Sequence, residues 1–145
     1  MAVSFTNNFK NILDKLRNVL RTEFKGTLPI YIGHETKEVA TQYLRLDPIG
    51  STLSEYNVNG ELREYQDKMF YYFADTYVNN SSLDHVLRFV SRIEALIHDN
   101  IKMTLSNSTD CFNCRIESTE LNALEDENEY VVQFEWRGQY LGNLD

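Results

Sequence analysis

One long amphipathic pattern constrains the fold of this chain more than any other feature. The range 79–100 reads NNSSLDHVLRFVSRIEALIHDN, and its apolar residues recur at spacings that place them on one stripe of a helix. The stripe consists of Leu83, Val86, Leu87, Val90, Ile93, Leu96 and Ile97. Ser81 or Ser82 can cap the first turn, where the negative charge of Asp84 is also favoured. Because such a stripe needs a surface to cover, and the flanking segments read as strands, we expect an antiparallel sheet beneath it.

A second amphipathic helix is predicted near the amino terminus. It can open at Ser4 or Thr6 and run to about Lys25, where Gly26 should end it. Its apolar residues keep the helical period: Phe5, Phe9, Ile12, Leu13, Leu16, Val19, Leu20 and Phe24.

The segments between the two helices read as strands. We predict strands at 28–32 and 41–46, the second halted by Asp47-Pro48, while 34–40 is ambiguous. Asn59-Gly60, flanked by the ranges 51–58 and 61–74, predicts a β-hairpin. At about 3.3 Å per residue the second arm would reach about 45 Å. We therefore expect the tip of the hairpin to project from the body.

After the long helix, a loop is predicted at 104–110 and strands at 111–118 and 129–140, joined by an acidic link. In the last strand Tyr130, Val132, Phe134 and Trp136 share one face. The order of elements predicts an α+β fold: a mostly antiparallel sheet packed by two amphipathic helices, with a long projecting β-hairpin. We expect residues 1–145 to form a single domain.

Charge and hydropathy narrow the function. With 22 acidic against 14 basic residues the net charge is −8, which argues against a nucleic-acid-binding module with a basic face. Solubility alone would also explain this charge. The sequence has no apolar run of membrane-spanning length and no signal peptide pattern, so we expect a cytosolic, soluble product with no membrane partner.

Cys111 and Cys114 form the only motif-like spacing. A zinc site would need two further ligands, and a redox CxxC precedes a helix, whereas this one opens a predicted strand. The strand period should place the two thiols on opposite faces. We predict structural thiols, no metal and no cofactor.

No set of residues resembles an active site. His85 and His98 are too far apart on the helix to share a ligand face, and no nucleophile, phosphate-loop or dinucleotide motif is present. The acidic residues around the final link lack the spacing of a calcium loop and are expected to be solvated. We predict no catalytic residue.

Aromatic residues are the more informative group, with nine tyrosines and eight phenylalanines. Tyr56, Tyr65, Tyr140 and Leu144 lie on polar segments or near the terminus, where a monomer of this size would not cover them. Such residues favour a protein interface. Burial in the core, or incidental exposure, is the alternative.

Taken in order, these elements resemble a tail terminator (tail-completion) protein of long-tailed bacteriophages. The resemblance lies in the first amphipathic helix, the PIYIG strand, the LDPIGSTLSEYNVNGELREYQ hairpin and the FYYFAD strand end. The NNSSLDHVLRFVSRIEALI helix and a closing hairpin that ends in VVQFEWRGQY complete it, so that it spans nearly the whole chain.

The resemblance implies a non-enzymatic structural protein of the virion tail or neck, made in the host cytoplasm. Members of that family form a ring, commonly a hexamer, that caps the tail tube and joins it to a head-side connector or stopper protein. DNA passes through such a ring without specific binding, and the acidic charge agrees with this.

A closed ring joins one patch to a different patch of the neighbouring copy, and a projecting hairpin suits this role. The predicted subunit interface consists of Leu53, Tyr56, Val58, Asn59, Gly60, Leu62, Tyr65, Tyr140 and Leu144. The acids predicted to border the channel or the rim are Glu117, Glu120, Glu125, Asp126, Glu127 and Glu129.

Other classes of function stay open. Another neck, connector or tube protein would have a similar list of elements. So would a small-ligand-binding protein, which an apolar pocket and a monomeric state would favour. An enzyme would need a strongly perturbed carboxylic acid in a pocket.

Overall fold

In the part of the chain that the structure describes, six strands form one sheet and two helices pack on one of its faces. The computed structural model describes residues 7–25, 27–33, 42–57, 60–74, 80–124 and 129–143. The helices are α1 (Asn8–Phe24) and α2 (Asn80–Asp99), and the strands are β1 (Ile30–Ile32), β2 (Gln42–Asn57), β3 (Gly60–Ala74), β4 (Met103–Thr104), β5 (Asp110–Leu124) and β6 (Glu129–Asn143). The strand order is β1-β2-β3-β6-β5-β4, with β1 parallel to β2 and the other neighbours antiparallel. The predicted α+β class is confirmed.

The centre of the sheet is the pair β3–β6. It is matched residue for residue from Gly60 opposite Asn143 to Ala74 opposite Glu129. Alternate side chains of both strands are buried against the helices, including the four predicted for β6: Tyr130, Val132, Phe134 and Trp136. We call this side the helix-side face and the other side the open face.

The cap of helix α1 lies one residue after Thr6 and three after Ser4, the two predicted starts. This cap is Asn7, whose side chain accepts the backbone N–H of Lys10 at 3.2 Å, and Ser4 and Thr6 lie outside the described residues. The helix ends at Phe24, and its C-cap is Lys25 in the left-handed conformation (φ 40°). The residue predicted to end the helix, Gly26, lies outside the described residues. Five residues of its stripe are buried: Ile12, Leu13, Leu16, Leu20 and Phe24.

Helix α2 confirms the long stripe, with one error. Leu87 is 45% exposed, whereas Phe89 is half-buried, stacked 5.5 Å from both Phe24 and Tyr71. The helix starts at Asn80, so Ser81 and Ser82 lie inside it and are not its cap. Asp84 lies beyond the first turn of the helix, although it was predicted to lie within that turn, and forms an ion pair with Arg88 at 3.0 Å. The described helices do not have the combined length and apolar character that crossing a membrane requires.

Strand β2 joins two segments that were predicted to be separate. The expected stop at Asp47-Pro48 is wrong, because the strand continues through Pro48 with a bulge before Gly50. The backbone N–H of Leu44 points away from β3 and donates to the carbonyl oxygen of Pro29 at 2.9 Å. Alternate residues of a strand point the same way, so the nitrogen of Pro48 also faces away from β3. Its missing N–H therefore costs the β2–β3 ladder nothing.

The predicted hairpin is present as β2–β3, closed by the pair Asn57 and Gly60. The two residues between them, Val58 and Asn59, lie outside the described ranges, and Gly60, which was predicted to be a turn residue, belongs to β3. Residues 51–56 of β2 are all exposed, which means that neither face of this arm is covered. Strand β6 accompanies β3 to the tip.

The cysteines correct another prediction. Strand β5 has a bulge between Phe112 and Arg115, with Asn113 in the left-handed conformation (φ 54°). The bulge breaks the period of two, so Cys111 and Cys114 lie on the same buried side with their Sγ atoms 3.6 Å apart. Strand β4 occupies the start of the predicted loop 104–110.

Gly138 of β6 provides the room for the largest core side chain. A Cβ at this position would lie 2.6 Å from Cη2 of Trp136 and 2.8 Å from Sγ of Cys111, both of which are buried. We expect Gly138→Ala to lower the free energy of unfolding by about 1–3 kcal/mol, because the ring and the sulfur must move in a packed core. Urea denaturation would measure this.

Gly142→Ala is the matched control on the same strand. A Cβ there would come no closer than 3.6 Å to Tyr140, an ordinary contact. Equal stabilities of the two variants would contradict the proposed role of Gly138.

Candidate assembly surface

The residues predicted to form a subunit interface divide into three groups. Leu53 and Tyr56 of β2 are 45% and 65% exposed, and Leu62 of β3 is half-buried. Gly60, Tyr65 and Tyr140 are buried. Val58, Asn59 and Leu144 lie outside the described residues. The structure therefore offers Leu53 and Tyr56 as the accessible members of the set.

The expectation that Tyr65 and Tyr140 would stay uncovered is wrong. Phe9 of α1 packs edge-on against Tyr65 with ring centroids 4.9 Å apart, and burial raises the pKa of the Tyr65 hydroxyl. Tyr140 pairs across the sheet with Cys111, within the core. The sequence pattern does not reveal that α1 extends over this part of β3, so both tyrosines looked exposed.

Among the described residues, the exposed large apolar side chains of the border strands are Ile49, Leu53, Tyr56 and Leu121, while Leu87, Ile101 and Leu141 are exposed elsewhere. Leu53 and Tyr56 pair with Arg63 and Glu61 of β3, which places them on the helix-side face, beyond the helices. Leu121 of β5, 41% exposed, is on the same face. Scattered apolar residues on a surface need no explanation, but strand edges are places where a strand of another chain can pair.

The open face carries a connected set of charged side chains that sequence analysis missed. Glu64 of β3 accepts hydrogen bonds from Arg115 at 2.7 Å and from Arg137 at 3.3 Å. Arg115 also binds Glu117 at 2.6 Å, and Arg137 binds Glu135 at 3.0 Å. The alternation of apolar and polar residues in β6 was the sequence feature that could have pointed to this set, because it places Arg137 and Glu135 on the same face. It could not identify their partners on β3 and β5.

The position of Glu64 between two arginines changes its acidity. The hydrogen bond from Arg115 is the main reason why the pKa of Glu64 lies below its ordinary value of 4.5, and the charge of Arg137 acts in the same direction. Glu64 therefore stays ionised and keeps both guanidinium groups in place.

The acids predicted to border a channel or rim do not form one group in the described part of the chain. Glu117 is exposed and paired with Arg115, and Glu120 is exposed on the open face of β5. Glu129 is half-buried and accepts a hydrogen bond from the hydroxyl of Tyr72. Glu125, Asp126 and Glu127 lie outside the described residues. Their placement in a ring stays a prediction.

A cleft of about 390 Å³ lies between the start of α1 and the strands. Its apolar wall includes Phe9, Leu13, Ile32 and Pro48. Two of its polar residues, Lys10 and Asp14, are joined to each other at 2.8 Å. The cleft could admit a small apolar molecule, but it presents no converging set of catalytic groups.

The most perturbed carboxyl group is Asp67, which is fully buried on the helix-side face of β3. Neither of its oxygens has a side-chain hydrogen-bond partner among the described residues, and the contact with the backbone N–H of Lys68 is too weak to offset burial. Burial raises its pKa well above the ordinary value, and the nearby charge of Asp47 raises it further. Asp67 is not among the residues that line the cleft, so it does not provide the accessible acid that an enzyme would need. In the described part of the chain, no three His, Cys, Asp or Glu side chains come close enough to hold a metal ion.

Comparison with known proteins gives a fold. No protein-family model matches the sequence, and no curated protein matches it. The structure is similar to a chain from the virion of a native gene transfer agent particle, with a TM-score of 0.64 and 12% sequence identity, over 95% of this chain and 100% of that one. A second solved chain has a TM-score of 0.58 and 11% identity, over 95% of this chain and 96% of that one. At these identities the likeness shows a shared fold.

We expect Glu64→Gln to destabilise the protein at neutral pH by about 1 kcal/mol, the scale of partly exposed ion pairs. Since the folded-state pKa of Glu64 is depressed, its contribution is present above the ordinary value of 4.5 and is lost as the pH falls through the folded value. The difference between wild type and variant in urea denaturation should therefore shrink towards low pH.

Glu120→Gln is the matched control, a carboxylate on the open face for which the described residues provide no ion pair. It should change stability little. A Glu64→Gln penalty that is the same at pH 7 and at low pH would mean that the lost interaction is not ionic.

Proposed function

We propose that this chain is a structural protein of a phage-like virion, and specifically a tail terminator. Copies would form a ring that caps the tail tube and joins it to the head-side connector or stopper protein. The observation that carries the proposal is the fold likeness to a chain of a gene transfer agent virion, which extends over all of that chain and 95% of this one. The order of elements in the sequence supports the same assignment.

The distribution of apolar surface also supports assembly. A head-to-tail ring needs two different patches on each copy. Leu53 and Tyr56 at one border of the sheet and Leu121 at the other provide accessible apolar side chains on opposite sides of the molecule. Tyrosine and leucine at a partly wet border are suited to contacts between proteins.

The charge network supports the passage of DNA without tight binding. A guanidinium group that is free on a surface attracts phosphate, and each neutralised phosphate strengthens binding. Arg115 and Arg137 are held by carboxylates at 2.6 to 3.3 Å, so a phosphate would have to displace a carboxylate to reach them. This suits a non-enzymatic protein beside which DNA must slide.

A small-ligand-binding protein is the second candidate, and the cleft beside Phe9 and Leu13 is the observation that favours it. A ligand-binding role requires no assembly. The mass of the protein in solution therefore separates the two candidates, because a terminator should reach the mass of a closed ring as its concentration rises.

We expect Leu53→Ser combined with Tyr56→Ser to lower the mass from that of a ring to that of a monomer, because the variant removes apolar area that the interface would bury. Mass photometry across a concentration series, with circular dichroism to verify folding, would measure this.

Leu87→Ser is the control, since Leu87 has the same 45% exposure as Leu53 but lies on α2. Rings that persist in the double variant and disappear in Leu87→Ser would place the interface on the helices. A wild-type protein that stays monomeric with or without tail tubes would contradict the terminator assignment.

A further inference from the structure

The sheet has two long edges with no neighbouring strand in the described part of the chain. Strand β1 covers β2 only at Leu44–Leu46, which leaves residues 48–57 open; we call this range the β2 edge. On the other side β4 pairs only with Asp110 and Cys111. The carbonyl oxygen of Ile101 accepts a hydrogen bond from the backbone N–H of Cys114 at 2.9 Å. Residues 116–124 follow this contact along β5, and we call this range the β5 edge. Unpaired strand edges are templates for another strand.

The two edges each span eight residues when measured on β3, and they lie in opposite halves of the sheet. Measured on β3, the β2 edge runs beside residues 60–67. The β5 edge, traced through β6, runs level with β3 residues 67–74. Two copies can therefore join these edges only if one copy is displaced along the strand direction.

The strand directions permit this joining. Strands β2, β3, β6 and β5 alternate in direction, so β5 and β2 run antiparallel to each other. Placing the β2 edge of one copy beside the β5 edge of another continues the antiparallel alternation and keeps the helix-side faces on one side. The contact joins two different patches, as a closed ring requires.

We propose that the β5 edge of each copy pairs with the β2 edge of the next copy, so that one sheet continues from subunit to subunit. This pairing rests on the ring proposed above and names the surfaces that would close it. Leu53, Tyr56 and Leu121 all lie on the helix-side face, so the pairing brings these three accessible apolar side chains onto one face.

The displacement between two neighbouring copies is limited by which faces must match and by which charges would meet. Residues directly opposite each other in an antiparallel pair share a face, so the displacement must be an even number of residues, six or eight for edges of this length. A displacement of eight would place Glu55 opposite Glu120, and like charges opposite each other destabilise a sheet. A displacement of six places Glu55 opposite Ser118 and Ser51 opposite Leu121.

Six residues also suit a closed ring. They amount to about 20 Å along the strands, and four strands are about 19 Å wide, so the strands lean about 45° from the ring axis. This is the tilt at which β-sheets close into barrels, typically about 35–45°. Eight residues would give about 55°.

Cross-linking tests the pairing and its register. In the variant with Ser51→Cys and Leu121→Cys, a short bifunctional thiol reagent should join neighbouring copies into a ladder of dimers, trimers and higher species on a denaturing gel. The variant with Leu53→Cys and Leu121→Cys should react several-fold more slowly, since these positions would be diagonal. The single variants and wild type should give no ladder, because Cys111 and Cys114 are buried.

A proline variant tests the backbone. Leu53 shares the helix-side face with Pro48, so its N–H also faces away from β3. Leu53→Pro should leave the β2–β3 ladder intact but remove a donor from the β2 edge, raising the concentration for half-assembly at least about tenfold relative to Leu53→Ala.

The outcomes separate the two proposals. Rings of wild-type mass that yield no ladder in either double-cysteine variant, and that Leu53→Pro leaves intact, would overturn the edge pairing while the ring stands. Dimers from Leu53→Cys alone would show that two β2 edges pair, and would also overturn it. A faster reaction of the Leu53 pair would support edge pairing at a displacement of eight and overturn the register. A protein that is monomeric under all conditions would overturn both proposals.

Discussion

The rest of the structure depends on the uninterrupted pairing of β3 with β6. Every residue from Gly60 to Ala74 faces a partner from Asn143 to Glu129, so the two strands keep one alternation over their full length. This alternation separates a helix-side face, which binds α1 and α2, from an open face of paired charges. Within the described residues the register shifts lie in β2 and β5, which have two bulges each, and the β3–β6 pair has none. A bulge in the central pair would instead shift buried side chains to the other face.

The elements with a strong period were predictable from sequence. The stripe of α2 and the two faces of β6 follow from the spacing of apolar residues, and the hairpin follows from its turn residues. The irregular positions were not predictable in this way. Pro48 looked like a strand end because a proline is accepted inside a strand only where its nitrogen faces away from the neighbouring strand. In β2 that nitrogen points to the side of β1 and away from β3, which the sequence does not reveal. Cys111 and Cys114 lie on the same side of β5 because of a bulge. A prediction that assumes strict alternation along a strand cannot include such a bulge.

The candidate surface was predictable in part, for a similar reason. Leu53 and Tyr56 are accessible, as their polar surroundings indicated. Tyr65 has equally polar neighbours but is covered by Phe9 of α1, a contact between residues 56 positions apart in the sequence. The link from Glu64 to Arg115 and Arg137 likewise joins three strands. Contacts of this kind are set by tertiary packing, which local patterns do not contain.

Asp67 connects folding to the proton concentration of the solution. Because burial raises its folded-state pKa, the folded chain holds a proton at pH values where the unfolded chain has released it. Folding in that range takes up a proton, and each further pH unit costs about 1.4 kcal/mol of stability until the folded group itself ionises. Glu64 has the opposite dependence, since it favours the folded state only when deprotonated. The two carboxyl groups, three residues apart on opposite faces of β3, therefore oppose each other, and the protein should be most stable at an intermediate pH.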